Sequence, residues 1–438
     1  MSQARQLLKQ LYIDNLKTDS KLYVGVEFEF PIVNMVGRST DVHVSKGLFD
    51  YLGNLCDFDI IQYDQEGHAI DLRHKTYQDH LVFEVSYNLI EFAFDCTETI
   101  QEIEQRFDYY LGLIQPWLSQ HGHMVQGFGI HPSWSRNDNG PVKIERYEML
   151  IDYLKLSETK GRADCHHFPD YGGFICGSQV QLDVTVDNYL RAINAFNKVE
   201  AVKAYLFANS PFNGADWDTL IARDIFWEQS MHGYHEENIG IFPKDFKDTQ
   251  DFLDWMEQTS IYTAERKGHS YYFPPIRVKD YLSQETIAAY ALDGTHTTII
   301  PETADFKNHR AYHYQDLTKR GTIEFRSTCA QPIDKSFLPI AFHLGLMANL
   351  EKLESLLETE PLFEAFNHDY KAMRRYFSKP DLGHHLEAIH QFSRLVLECA
   401  LDGLLKRGYG EEVYLKELIE TMESSVRLRW LLMIFTHS

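Results

Sequence analysis

Three stretches of the chain alternate apolar residues with residues that bind charge. They are Tyr23-Val-Gly-Val-Glu-Phe-Glu-Phe30, Gln179-Val-Gln-Leu-Asp-Val-Thr185 and Thr322-Ile-Glu-Phe-Arg-Ser-Thr328. In a strand, successive side chains point to opposite faces. Val24, Val26, Phe28 and Phe30 therefore share one face, and Glu27 and Glu29 the other. Val180, Leu182 and Val184 oppose Gln179, Gln181 and Asp183 in the same way, and Ile323 and Phe325 oppose Glu324 and Arg326. Residues 81–95 read as a further strand region, with Ile90, Phe92 and Phe94 against Leu89, Glu91 and Ala93. Glu84 stands seven positions before Glu91, so an unbroken strand places them on opposite faces. A turn or bulge near Ser86–Asn88 is needed for both to serve one site.

Helical spacing appears elsewhere. Residues 1–17 predict a short amphipathic helix with Leu7, Leu8, Leu11 and Leu16 on or near one face. Residues 31–80 read as loop-rich, and the run from Tyr63 to Asp71 as a hairpin or a lid. Thr99-Ile-Gln-Glu102 fits a capping box, followed by Ile100, Ile103, Phe107, Leu111 and Ile114 in a helix expected to end before Pro116. A helix is predicted over 143–155, and a long one capped by Asp187 and reaching about Ala208. From Ser336 on the pattern is helical almost to the end. The alternating polar face argues against a parallel sheet buried on both sides. The expected class is α+β, an antiparallel or mixed sheet with one open face and a helical C-terminal third. No linker separates its parts. The reading is a core over 1–332 with a helical part over 333–438 packed on the same domain.

If the strands share one sheet, its polar face is a crowd of carboxylates with an arginine among them. Carboxylates that close repel one another unless a cation sits between them. This is the arrangement of a magnesium–nucleotide site. Glu27-x-Glu29 or Glu324-x-Arg326 alone also describes a solvated face or a surface ion pair, and only the combination points to chemistry.

The chain has 438 residues, 44% hydrophobic and 24% charged, with a formal net charge of −22. That acidity excludes a broad footprint for nucleic acid or anionic membrane. Cys56, Cys96, Cys165, Cys176, Cys329 and Cys399 form no Cys-x-x-Cys pair, and they read as reduced thiols. The N-terminal residues are too polar for a signal peptide, and no apolar run approaches the roughly 18 residues of a membrane helix. A cytoplasmic protein is expected. Oligomeric state is not readable.

Gly25-Val-Glu-Phe-Glu-Phe30, Glu84-x6-Glu91, Gly177-Ser-Gln-Val-Gln-Leu-Asp183 and Thr322-Ile-Glu-Phe-Arg-Ser327 together resemble the metal- and ATP-binding strands of the glutamate–cysteine ligase family, a carboxylate–amine ligase relative of glutamine synthetase. Gly127-Phe-Gly-Ile-His-Pro-Ser-Trp134, Arg146-Tyr147 and Phe273-Pro-Pro-Ile-Arg-Val-Lys279 resemble its plant and proteobacterial branch. The resemblance implies a curved six-stranded antiparallel funnel with helices outside. It also implies ATP, Mg2+ or Mn2+, and an acyl phosphate on the γ-carboxylate of L-glutamate that the amine of L-cysteine attacks. On the matching positions it makes Glu27, Glu29, Glu84, Glu91 and Glu324 the metal carboxylates. Gln179 and Gln181 face the nucleotide. Arg326, with Glu324, is the catalytic group gripping the transferred phosphate, and Arg146 and Arg277 are candidates for the substrate carboxylate. Gln181 stands where the plant-like branch commonly has asparagine, which bears on the amine substrate more than on the ATP chemistry. Two alternatives remain at this point: a related ligase with another amine or acid, and a non-catalytic nucleotide-binding protein on the same fold. A metal-dependent hydrolase would show a His-rich ligand set, and none is visible.

Overall fold

The computed structural model describes residues 2–424. The nine strands of its main sheet are β1 (Val24–Asn34), β2 (Phe58–Tyr63), β3 (Ala69–His74), β4 (His80–Phe83), β5 (Leu89–Thr97), β6 (His123–Val125), β7 (Gly177–Asp183), β8 (Gln315–Leu317) and β9 (Thr322–Cys329). Their order is β8-β9-β7-β1-β5-β4-β3-β2, with β6 beside the far end of β1, and every pairing is antiparallel. The α+β class and the antiparallel sheet are as expected. The strand number is not: nine strands stand where the resemblance implied six. The excess includes the short β6 and the hairpin β2–β3, whose connection falls in the run from Tyr63 to Asp71 read as a hairpin or a lid.

The alternation along β1 works as its pattern requires. Val24, Val26, Phe28 and Phe30 are fully buried. Phe28 and Phe30 pack on Phe107 of the helix Ile100–Gln120 at ring separations of 5.2 and 5.8 Å. Phe325 of β9 packs on Phe196 of the helix Tyr189–Leu206 at 4.4 Å. One face of the sheet is thus sealed by helices, and the other is left for polar side chains.

Several local expectations need correction. The helix Ile100–Gln120 runs through Pro116 and does not stop before it. A mid-helix proline forfeits a hydrogen bond, but Ile114 and Leu118 on either side of it are buried, and that packing holds the last turn. Thr99 makes no capping-box bond; the Ile100 amide donates instead to Glu411 Oε1 at 3.0 Å, a partner from far along the chain. The long helix is flanked by Asn188 and not by Asp187. The loop-rich span contains a helix, Val42–Gly53, capped by Asp41, whose carboxylate accepts from the His43 amide at 2.9 Å. The first helix, Gln3–Leu8, continues as a π-helical turn, Lys9–Ile13. The C-terminal third is helical up to Ser424, and the rest of that expectation lies outside the described residues.

Candidate active site

Register brings the acidic strands together. Glu29 pairs with Glu91 across β1 and β5, Glu27 with Gln179 across β1 and β7, and Gln181 with Glu324 across β7 and β9. Glu84 reaches the same region through the turn that the sequence demanded. After β4 ends at Phe83, the Ser86 amide donates to the Glu84 carbonyl at 2.6 Å, closing a γ-turn on Val85 at φ +59°. A β-branched residue with positive φ is strained, and here the strain lies where the chain re-aims Glu84.

The carboxylates fall into two groups. Glu29, Glu84 and Glu91 form one. Glu29 accepts from the Gly177 amide at 2.6 Å and from Gln179 Nε2 at 2.8 Å, and Glu84 accepts from the Tyr147 hydroxyl at 2.9 Å. Glu27 and Glu324 form the other. Glu27 accepts from Gln181 Nε2 at 3.0 Å, while Glu324 pairs with Arg326 at 2.7 Å. Burial pushes Glu27 up to about 7, with Glu324 adding to the rise and Arg326 opposing it. Burial likewise pushes Glu29 up to about 7 against the pull of Arg223. Burial and the adjacent Glu84 hold Glu91 well above the ordinary carboxylate range. Burial alone would raise Glu324 too, but Arg326 and Arg310 outweigh it and keep it low.

A cavity of about 220 Å³ opens on this face. Glu29, Glu84, Gln179, Arg146 and Arg326 line it; Glu27, Gln181 and Glu324 lie on the strands of Glu29, Gln179 and Arg326, and Glu91 stands opposite Glu29 on β5. Arg277 is elsewhere: it pairs with Glu237 at 2.9 Å and donates to the Gln258 carbonyl, so the structure does not bring it to the site. Sequence reasoning missed Arg223, at the start of the short helix Ala222–Glu228, and Arg310, in the loop before Tyr312; both line the cavity. Neither carries a periodic signal, and only the assembled fold aims them. Tyr312 lies under both Arg310 and Arg326, at 5.5 and 5.8 Å from its ring centre, and stacks on Trp227. No ion-pair partner of Arg310 is found among the described residues.

Four buried polar atoms of the lining have no hydrogen-bond partner: Gln179 Oε1, Arg223 Nε, His232 Nε2 and Arg326 Nε. Buried polar groups are seldom left unpaired, so these are the marks of a surface built for a ligand. The donor set is all hard oxygen, which fits Mg2+ or Mn2+. Among the described residues, no three His, Cys, Asp or Glu side chains are already gathered to hold a metal ion. His131, by contrast, is structural: its Nδ1 accepts from the Ser133 amide at 3.0 Å and its Nε2 meets the Ile32 carbonyl at 3.1 Å.

Comparison with known proteins gives a match to the glutamate-cysteine ligase family 2 over residues 23–434. The chain belongs to that family. Similar members of known name include the chloroplastic glutamate–cysteine ligases of Arabidopsis thaliana, 22% identical over 334 residues, and of Solanum lycopersicum, 21% identical over 336. Each alignment takes in 75% of this chain and 60% of the relative, so this glutamate–cysteine ligase family member spans about three fifths of the length of the curated relatives it matches. Two solved structures overlay on it. A bifunctional glutathione synthetase from Pasteurella multocida covers 99% of this chain and 50% of its own, at TM-score 0.45 and 11% identity. A Francisella tularensis glutamate–cysteine ligase in complex with AMP covers 93% and 99%, at TM-score 0.30 and 9% identity. At these scores the overlays fix no residue correspondence. No helix among the described residues is long and apolar enough to cross a membrane.

Proposed function

We propose that this chain is an ATP- and Mg2+-dependent ligase that joins the γ-carboxylate of L-glutamate to the amine of L-cysteine through γ-glutamyl phosphate. Mn2+ is the expected substitute ion. One observation carries the reading: a sheet face bearing four glutamates, joined by Glu84 from the turn after β4, opens on a cavity that also holds unsatisfied guanidinium groups. Family membership supports the ligase class. A non-catalytic binder on the same fold would be expected to have lost a metal carboxylate or the arginine, whereas Glu27, Glu29, Glu91, Glu324 and Arg326 are all present.

In this reading Glu27, Glu29, Glu84, Glu91 and Glu324, with Gln179, hold the cation. When bound, the cation neutralises charge on the phosphates. Arg326 grips the phosphoryl group as it moves, because its planar fork is permanently charged and matches phosphate oxygens. Glu324 orients Arg326 through their pair and keeps its donors in the cavity. Gln179 and Gln181 face the nucleotide. Arg310 and Arg223 add positive charge where phosphate charge must be stabilised, the kind of preorganised electrostatics that lowers a phosphoryl-transfer barrier. Arg146, on the cavity wall, is the remaining candidate for the substrate α-carboxylate. Residues 1–332 form the ligase core in this reading, and 333–438 its helical support.

The test is ADP release by the purified protein with ATP, Mg2+ and L-glutamate, with and without L-cysteine, L-2-aminobutyrate and a panel of other amines. Release stimulated by cysteine, with a matching γ-glutamyl product, is the expected result. Release stimulated only by another amine keeps the chemistry and changes the substrate. No release with any pair, despite tight binding of Mg2+-ATP, overturns the catalytic reading.

A further inference from the structure

Strand β9 carries one residue too many where it passes the cavity. Phe325 pairs with Val180 and Thr328 with Ser178, so Arg326 and Ser327 together stand opposite Gln179. A bulge of this kind breaks the ladder and re-aims a side chain. Here it lies at Arg326. A bulge also leaves backbone groups to be satisfied elsewhere. The Arg326 amide donates to the Tyr314 carbonyl at 3.1 Å. The Thr328 carbonyl accepts from Arg223 Nη1 at 2.8 Å, and the Ser327 carbonyl from Arg374 Nη2 at 3.2 Å.

Arg374 comes from the helix Tyr370–Phe377, far along the chain, and is almost wholly buried. Its guanidinium makes five contacts from its five donor hydrogens. Nε and Nη2 clasp both oxygens of Asp224 at 2.7 and 2.9 Å. Nη1 meets the Glu200 carboxylate at 2.9 Å and the Glu200 carbonyl at 2.8 Å. The remaining Nη2 donor holds Ser327. Glu200 in turn accepts from the Ser327 hydroxyl at 2.8 Å and from Lys203 Nζ at 2.6 Å. Both the side chain and the carbonyl of the bulged residue are therefore tied to one buried cluster. A lysine has neither the fork nor enough donors to keep these contacts.

We infer that Arg374 is a positioning residue for Arg326: through the bulge at Ser327 it sets the direction in which the Arg326 guanidinium enters the cavity. It touches no reacting atom. Only the kinetic part of its test rests on the ligase reading.

The experiment uses Arg374→Lys and Ser327→Ala in the full chain, each read by crystal structure and by ADP release. In Arg374→Lys the Arg326 guanidinium leaves Glu324 and turns from the cavity. Its kcat falls at least ten-fold while KM for ATP moves less than two-fold, a split that general loosening of the fold does not produce. Ser327→Ala shows a smaller displacement and a smaller kcat loss in the same direction. Arg326 unmoved in Arg374→Lys, or moved with wild-type kcat, overturns the inference. Should Arg374→Lys fail to fold, Ser327→Ala decides by the same criteria. If the wild-type protein releases no ADP with any substrate pair, the ligase reading fails on its own, and the position of Arg326 in the variant crystals still settles this one.

Discussion

Glu29 and Glu91 stand directly opposite each other on neighbouring strands, Glu29 buried and Glu91 half-buried. Like charges at directly opposed positions destabilise a sheet. The raised carboxyl groups have a definite consequence. Glu27 and Glu29 move from an ordinary 4.5 to about 7 in the fold. Their stabilising protons are fully bound below pH 4.5 and are lost as pH rises through 7. Each shift corresponds to about 3 kcal/mol, and coupling makes the sum smaller than two such contributions. Cation-free protein is expected to melt at a progressively lower temperature from pH 5 to pH 8. Mg2+ or Mn2+ is expected to raise the melting temperature more at pH 8 than at pH 5.5, because protons and cations compete for the same oxygens. Melting curves in chelator and in excess Mg2+ check this. A melting temperature indifferent to both pH and cation counts against a carboxylate cation site.

Glu29→Gln is expected to abolish ADP release, by 100-fold or more, with the fold intact. The amide keeps the shape but supplies one acceptor where Gly177 and Gln179 offer two donors. That lost bond is offset by removal of repulsion from Glu91, so stability shifts by about 1 kcal/mol or less. Urea unfolding alongside the assay separates the two effects. Wild-type turnover by this variant would remove Glu29 from the site.

Arg326→Ala is expected to remove turnover as well, but with a different companion effect. It frees Glu324 from the only ion pair it makes among the described residues, so the Glu324 carboxyl rises toward its buried neighbours. Cation binding to this variant should therefore require a higher pH than in the wild type. Calorimetric titration with Mn2+ across pH 6 to 8.5 measures the displacement, and identical profiles would argue that Arg326 does not govern Glu324.

His131 gives a pH effect of opposite sign. Burial depresses it from 6.5 to about 4. Its Nδ1 accepts a backbone hydrogen bond that a protonated ring cannot accept. The neutral ring's contribution is complete above pH 6.5 and is lost as pH falls through 4, about 3 kcal/mol in all. A His131→Gln variant is expected to start less stable at pH 7 and to lose about 3 kcal/mol less than the wild type between pH 6.5 and 4. Urea unfolding at those two pH values compares the losses.

Gly127 makes a steric prediction. A Cβ there would lie 2.0 Å from the Gln331 carbonyl oxygen and 2.5 Å from the Pro332 Cα, both backbone. Gly127→Ala is expected to cost about 3 kcal/mol or more, since the segment after β9 must move as a unit. A melting temperature within 1–2 °C of wild type would show that the crossing has slack.

What was legible from the chain is the part that obeys a two-residue period. Phe28 buried and Glu29 on the polar face follow from alternation alone, and the turn at Val85 follows from the odd spacing of Glu84 and Glu91. Arg223 and Arg310 were invisible because loops and short helix starts have no period to read. The helix Val42–Gly53 was passed over although Asp41 and the Leu48, Phe49 and Leu52 spacing mark it. Pro116 misled in the other direction, because a local helix-breaking preference lost to burial on both sides. Arg277 was placed by its motif neighbours, and its side chain belongs to Glu237 instead. The match to the glutamate-cysteine ligase family 2 agrees with the family read from the strand motifs.

The position of β1 in the sheet sets a timetable for synthesis. Its partner β5 follows closely in sequence, so the β1–β5–β4 portion forms early on the ribosome. The other edge of β1 waits for β7, β9 caps β7 later still, and Arg374 arrives last. From Glu27 to Arg374 is 347 residues (374 − 27), about 20 to 70 s at ordinary translation rates. In the part of that interval before β7 emerges, the free edge of β1, with Glu27 and Glu29, is unpaired. The charges then act as a guard, since a strand that displays Glu27 and Glu29 discourages edge-to-edge pairing with its like. The residues placed here for chemistry would also keep the nascent chain from meeting another copy of itself.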